Sequence, residues 1–163
     1  MLATPPAAPR PFTLQVAAAR QLAKAVALAE RLRGGSWEAF TVPTETPGKG
    51  VNYRVFLGRF ESEGSAAAAR KELRAKGIKE QPVVRSLPYA IEVRNLTSAD
   101  HAAGALQGLR DGGYMPVLRR EGAEGAVDAK LTLVVDAFAS QAETEPLTAF
   151  LQAHGLTPQV VDR

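Results

Sequence analysis

The 163 residues contain no cysteine. That excludes disulfides, thiol catalysis and cysteine-based zinc sites, and it leaves the redox compartment open. Histidine is nearly absent. His101 and His154 stand alone at helix positions, which suits structural or solvated roles, and His154 falls near a helix C-terminus, where a partly cationic ring suits the dipole. No paired histidine or carboxylate set has metal spacing. "PGKG" (47–50) is too short for a phosphate-binding loop and lacks the strand-to-helix context. The remaining carboxylates are scattered over helix surfaces. Neither an enzyme nor a cofactor is expected. No apolar run approaches the length of a membrane span, and no segment reads as a signal peptide.

Hydrophobic residues make up 45% of the chain, enough to pack a core. The length suits two small domains of roughly 75 residues each. Residues 1–11, "MLATPPAAPRP", are Ala/Pro-rich and read as an extended linker tail. The expectation is a fragment of a longer protein, with any anchor or targeting signal upstream. Charge is divided unevenly. Residues 12–87 hold 13 Lys/Arg against 7 Asp/Glu, whereas residues 88–163 hold 6 against 10. Either these are two solvated surfaces, or the halves attract, or only the basic half meets an anionic partner.

The chain repeats itself. "FTLQV" (12–16) aligns with "YAIEV" (89–93) at an offset of 77, followed by Leu32-Arg33 with Leu109-Arg110 and Trp37 with Tyr114. Beyond the next loop the offset is 78, and Phe60 meets Phe138, Ser62 meets Ser140, Leu73 meets Leu151 and Gly77 meets Gly155. Each copy, 12–87 and 88–163, reads as strand-helix-strand-strand-helix-strand. In the first copy the strands fall near 12–17, 37–42, 51–58 and 78–84. A helix over 20–34 places Leu22, Val26, Ala29 and Leu32 on one face and stops at Gly34-Gly35. A second helix is capped by Ser62 and ends at Gly77. In the second copy "SQAE" (140–143) resembles a capping box, although Pro146 argues for a helix starting near Thr144. The order βαββαβ implies an α+β fold: two tandem ferredoxin-like units, each a four-stranded antiparallel sheet with both helices on one face. The uncovered face is where function belongs.

The period of two assigns those faces. Phe12, Leu14, Val16, Tyr53, Val55 and Leu57 point to the helices. Thr13, Gln15, Arg54 and Phe56 point the other way, offering hydrogen bonds, a fixed cation and an aromatic ring. This platform suits a long polar ligand such as a sugar chain or a single-stranded nucleic acid. Equally, it is an ordinary solvated face, or one covered by the other domain. The matching positions of the second copy are Glu92, Thr132 and Val134, which lack the cation and the aromatic.

Both copies resemble the SPOR (sporulation-related repeat) domain, the first strongly and the second weakly. The motifs are "FTLQVA", "A..LAERLRGGSWEAFTV" and "NYRVFLGRFESEGSAAAARKELRAKG". The Tyr-Arg-Val-x-x-Gly-x-Phe pattern of 53–60, followed by a Ser-started helix ending Lys-Gly, is the most specific part. The resemblance implies non-catalytic binding of peptidoglycan glycan strands stripped of their stem peptides, used for localisation at division septa. It implies a bacterial periplasmic or envelope location, possible cell-division or cell-wall protein partners, and no membrane insertion by this segment. The family's first-strand glutamine falls on Gln15 and its third-strand Tyr-Arg pair on Tyr53 and Arg54. With Phe56 stacking on a sugar and Thr13 beside Gln15, these are the expected glycan contacts. Arginine suits the lactyl carboxylate of muramic acid, which peptide removal exposes. "AAA" (17–19) replaces the family's usual polar turn, and Asp136 replaces the third-strand glycine held by Gly58.

Two other readings remain open. An RNA-binding module shares the βαββαβ order, but "NYRVFLGRF" lacks paired outward aromatics. A tandem protein-interaction or regulatory unit would instead show ordered contacts between the repeats.

Overall fold

The computed structural model describes residues 9–33, 37–78, 81–96, 99–121 and 130–162. The first repeat runs β1 (Phe12–Ala19), α1 (Leu22–Leu32), β2 (Ala39–Thr46), β3 (Gly50–Phe60), α2 (Glu63–Ala75) and β4 (Val83–Ser86). The second runs β5 (Tyr89–Leu96), a short 3-10 turn (Ala99–Ala102), α3 (Ala103–Asp111), β6 (Val117–Glu121), β7 (Lys130–Phe138), α4 (Gln141–Ala153) and β8 (Pro158–Asp162). Each repeat forms one four-stranded antiparallel sheet, in the equivalent orders β2-β3-β1-β4 and β6-β7-β5-β8. The α+β architecture of two βαββαβ units is therefore present.

Local chemistry sets the ends of α2 and α4 in the same way. The Ser62 hydroxyl accepts from the Ser65 amide at 3.1 Å, and the Ser140 hydroxyl accepts from the Glu143 amide at 3.4 Å. Glu143 reaches back to accept from the Ala139 amide at 3.0 Å. This cap overrides Pro146, so α4 begins at Gln141 and not near Thr144. Proline removes only the donor that would have met the Ala142 carbonyl. At the other end Gly77 and Gly155 take φ +80° and +76°, and Ile78 and Leu156 donate back to the carbonyls of Leu73 and Leu151. The expected Gly34-Gly35 stop lies outside the described residues.

Each repeat buries its own core between sheet and helices. The first is built on Leu14, Val16, Val55, Leu57, Ala25, Ala29 and Leu73, the second on Ile91, Val93, Leu109, Leu133, Val135 and Leu151. Val26 stays at the margin of α1, because Ala25 and Ala29 let the helix approach the sheet closely. The fourth strand is shorter and later than 78–84, which carries Arg85 into the sheet.

A third cluster joins the repeats. Phe40, Val42 and Phe56 of the first sheet meet Leu87 and Ala137, with Tyr114 and Met115 packed alongside. Polar contacts fix the junction. The Thr41 hydroxyl donates to the Gly113 carbonyl at 2.8 Å, and the Leu87 amide donates to the Pro11 carbonyl at 2.7 Å. The Arg59 guanidinium lies 3.0 Å from the Asp136 carboxylate.

Candidate functional site

The helix-free face of the first sheet is divided in two. On its covered part, the Phe40 and Phe56 rings stack at 5.4 Å and 24°. Phe56 is 2% exposed and Phe40 8%. The Arg59 guanidinium sits 5.0 Å over the Phe40 ring and donates to the Leu87 carbonyl at 3.2 Å. The expectation of an outward, solvent-facing Phe56 is therefore corrected. Phe56 points to the predicted side of the sheet, but the second repeat closes over it. Burying a phenylalanine stabilises by roughly 1.5–3 kcal/mol, and a face carrying two is a strong packing surface. Paired aromatics, the feature of a base-stacking platform, do occur here, contributed by neighbouring strands, but they are buried.

The exposed part carries Gln15, Arg54 and Arg85. Gln15 is half-buried and lies opposite Phe56 on β3 and Val83 on β4. Arg85, exposed on β4, donates through Nε to the Gln15 Oε1 at 3.2 Å. That contact fixes the carboxamide's oxygen toward Arg85 and leaves its two N–H groups available. Arg54, half-buried, lies between Ala18 on β1 and Val42 on β2. It makes no ion pair or side-chain hydrogen bond among the described residues, and its β1 neighbour is the small, exposed Ala18. The strip thus presents two guanidiniums and one carboxamide. Guanidinium matches carboxylate geometry, and a carboxamide matches hydroxyl and amide groups.

Two further expected contacts are held inside. Thr13 is fully buried and donates to the carbonyls of Leu57 and Gly58, at 3.3 and 2.7 Å. It secures the β1–β3 pairing where Gly58 takes φ +75°. Tyr53 packs against the first core on the helix side. A Cβ added to Gly113 would stand 2.6 Å from its ring. Of the five expected residues, only Gln15 and Arg54 reach the exposed strip. The apolar run that marks the fourth strand in the sequence ends at Val84, so it does not reveal Arg85, which β4 carries. Continuing the alternation past Val84 puts Arg85 on the same side as Thr13 and Gln15.

The SPOR-domain family model matches residues 8–85. These residues form a SPOR domain. The match spans all four strands of the first sheet and stops one residue before the end of β4. No curated protein and no solved structure matches the chain. SPOR domains bind peptidoglycan and are not catalysts, so the coarse role is non-catalytic binding to the bacterial cell wall, with association to the cell envelope. Among the described residues no group of three or more His, Asp or Glu is placed to hold a metal, and no helix is long and apolar enough to cross a membrane.

Proposed function

We propose that the chain binds peptide-stripped glycan strands of peptidoglycan through the exposed strip of its SPOR domain, and so localises to the septum or other denuded wall in the periplasm. Arg54 pairs with the lactyl carboxylate of a muramic acid. Gln15 donates to a neighbouring sugar oxygen, and Arg85 holds the Gln15 carboxamide while offering a second cation. Phe56, Thr13 and Tyr53 are packed away from the strip and make no sugar contact. The second repeat, a divergent SPOR-like copy, serves first as a packing partner. Cell-division or cell-wall proteins remain candidate partners of the same surface.

The observation that carries this reading is Arg54: a guanidinium without an ion pair or side-chain hydrogen bond among the described residues, on the same sheet face as a carboxamide already held by another arginine. An RNA ligand is disfavoured, since the stacked pair Phe40–Phe56 is closed to bases. Retention on amidase-treated sacculi of Arg54→Ala and Arg85→Ala variants tests the assignment. Each should bind about tenfold more weakly with an unchanged melting curve. Undiminished retention of Arg54→Ala would remove the strip as the site. Binding that collapses steeply with salt would point to nucleic acid instead.

A further inference from the structure

The second sheet repeats one feature of the first in altered form. Glu92 stands where the first repeat has Gln15, as the fourth residue of the first strand. Its side chain also accepts from guanidinium, but from two arginines. Arg94 on β5 contacts Oε2 through Nε and Nη2, both at 2.9 Å. Arg119 on β6 contacts Oε1 through Nη2 at 3.0 Å. Ile91, Val93, Leu118 and Leu133 pack in the second core, so Glu92, Arg94, Arg119 and Thr132 share the helix-free side of this sheet.

The positions explain where the cation went. Thr132 replaces Arg54 in the repeat, and Arg119 is its direct cross-strand neighbour on β6. A positive group therefore occupies nearly the same part of the face, supplied by the adjoining strand.

One arginine would be enough to neutralise a buried carboxylate. Here the Glu92 side chain is 11% exposed, whereas those of Arg94 and Arg119 are 54% and 47% exposed. The triad carries a net positive charge, and Glu92 holds both guanidiniums in place with several N–H groups still directed away from it. A pre-oriented arginine pair is suited to bidentate capture of an external carboxylate. The surrounding repeat is acidic, with 6 Lys/Arg against 10 Asp/Glu. That background repels a densely charged polyanion more than a glycan whose carboxylates are spaced one per disaccharide.

We infer that the Arg94–Glu92–Arg119 triad is a second carboxylate-binding subsite, taking a muramic acid carboxylate of the same glycan class that the first repeat binds. The choice of muramic acid rests on the proposed function above. The carboxylate subsite itself rests on the triad.

A nuclear magnetic resonance titration of the isotope-labelled full chain with N-acetylmuramic acid tests it, with N-acetylglucosamine as the carboxylate-free control. The Arg94 and Arg119 Nε–H signals and the Thr132 amide should move with the muramic acid and stay still with the control. Absence of movement at these groups, or equal movement with both sugars, overturns the subsite. Signals of Gln15 and Arg54 report the first repeat in the same spectra, so the failure of either site is seen separately. Glu92→Gln keeps an oxygen acceptor for arginine and removes the competing charge. It should tighten muramic acid binding at this face about threefold or more, and an unchanged affinity counts against direct binding by the pair.

Discussion

Arg59 of the SPOR domain and Asp136 of the second repeat form an ion pair of 3.0 Å, with side chains only 11% and 17% exposed. Asp136 occupies the place of Gly58 in the repeat, so a departure from the family pattern has become the partner of a neighbouring domain. The same guanidinium covers the Phe40 ring and binds the Leu87 carbonyl. One side chain therefore ties together the aromatic stack, the connection between repeats and the second sheet.

Asp136→Ala should leave a largely buried guanidinium without its carboxylate. A loss of about 2 kcal/mol is expected, below the full cost of breaking a wholly buried pair. Urea unfolding measures it. A stability within about 0.5 kcal/mol of wild type would mean that the junction does not depend on this pair.

Phe56→Ala and Arg54→Ala should separate packing from binding. Removing the Phe56 ring opens a cavity at the junction and should cost about 3 kcal/mol. Removing the Arg54 side chain should change stability by no more than about 0.5 kcal/mol and reduce glycan retention about tenfold. Equal effects of the two variants on stability would contradict the division of the face into covered and exposed parts.

Gly113→Ala tests the hook formed by the end of α3 against the first repeat. The residue has φ +99°, and its new Cβ would meet the Tyr53 ring at 2.6 Å. Strain and displacement together should cost about 1–3 kcal/mol, read as a lower urea midpoint. A neutral substitution would show that Tyr53 and this turn are not in firm contact.

Burial, and secondarily the Glu143 carboxylate, raise the Tyr114 phenol above its ordinary 10.0. Below pH 10 the phenol is neutral in both the folded and the unfolded chain. As pH rises past that value the unfolded chain ionises first, so the stability held by neutral Tyr114 is lost as pH climbs through the raised folded value. Urea midpoints across alkaline pH should fall more steeply for wild type than for Tyr114→Phe. Identical slopes would place the ring in water.

Much of the fold was legible because its determinants are local. Alternation fixed the strands, and Ser62, Ser140, Gly77 and Gly155 marked helix ends by chemistry that acts within one turn. Alternation also gave the correct side of the sheet for Phe56. It carried no information about what lies above that side, because cover comes from residues about 30 to 80 positions away: Leu87, Tyr114, Met115 and Ala137. The edge strand β4 misled for a different reason. It is four residues long and mostly exposed, so its apolar pattern is weak, and Arg85 was left beyond its end. The triad on the second sheet was hidden because its cations come from β5 and β6, and position-by-position alignment with Gln15, Arg54 and Phe56 shows only what was lost.

Cosedimentation of the full chain with intact and with amidase-treated peptidoglycan sacculi tests the central claim most directly. Binding through Arg54 and Gln15 requires muramic acid carboxylates freed of peptide, so retention should rise several-fold after amidase treatment and fall back in Arg54→Ala. Equal retention on both preparations, or none on either, would contradict it.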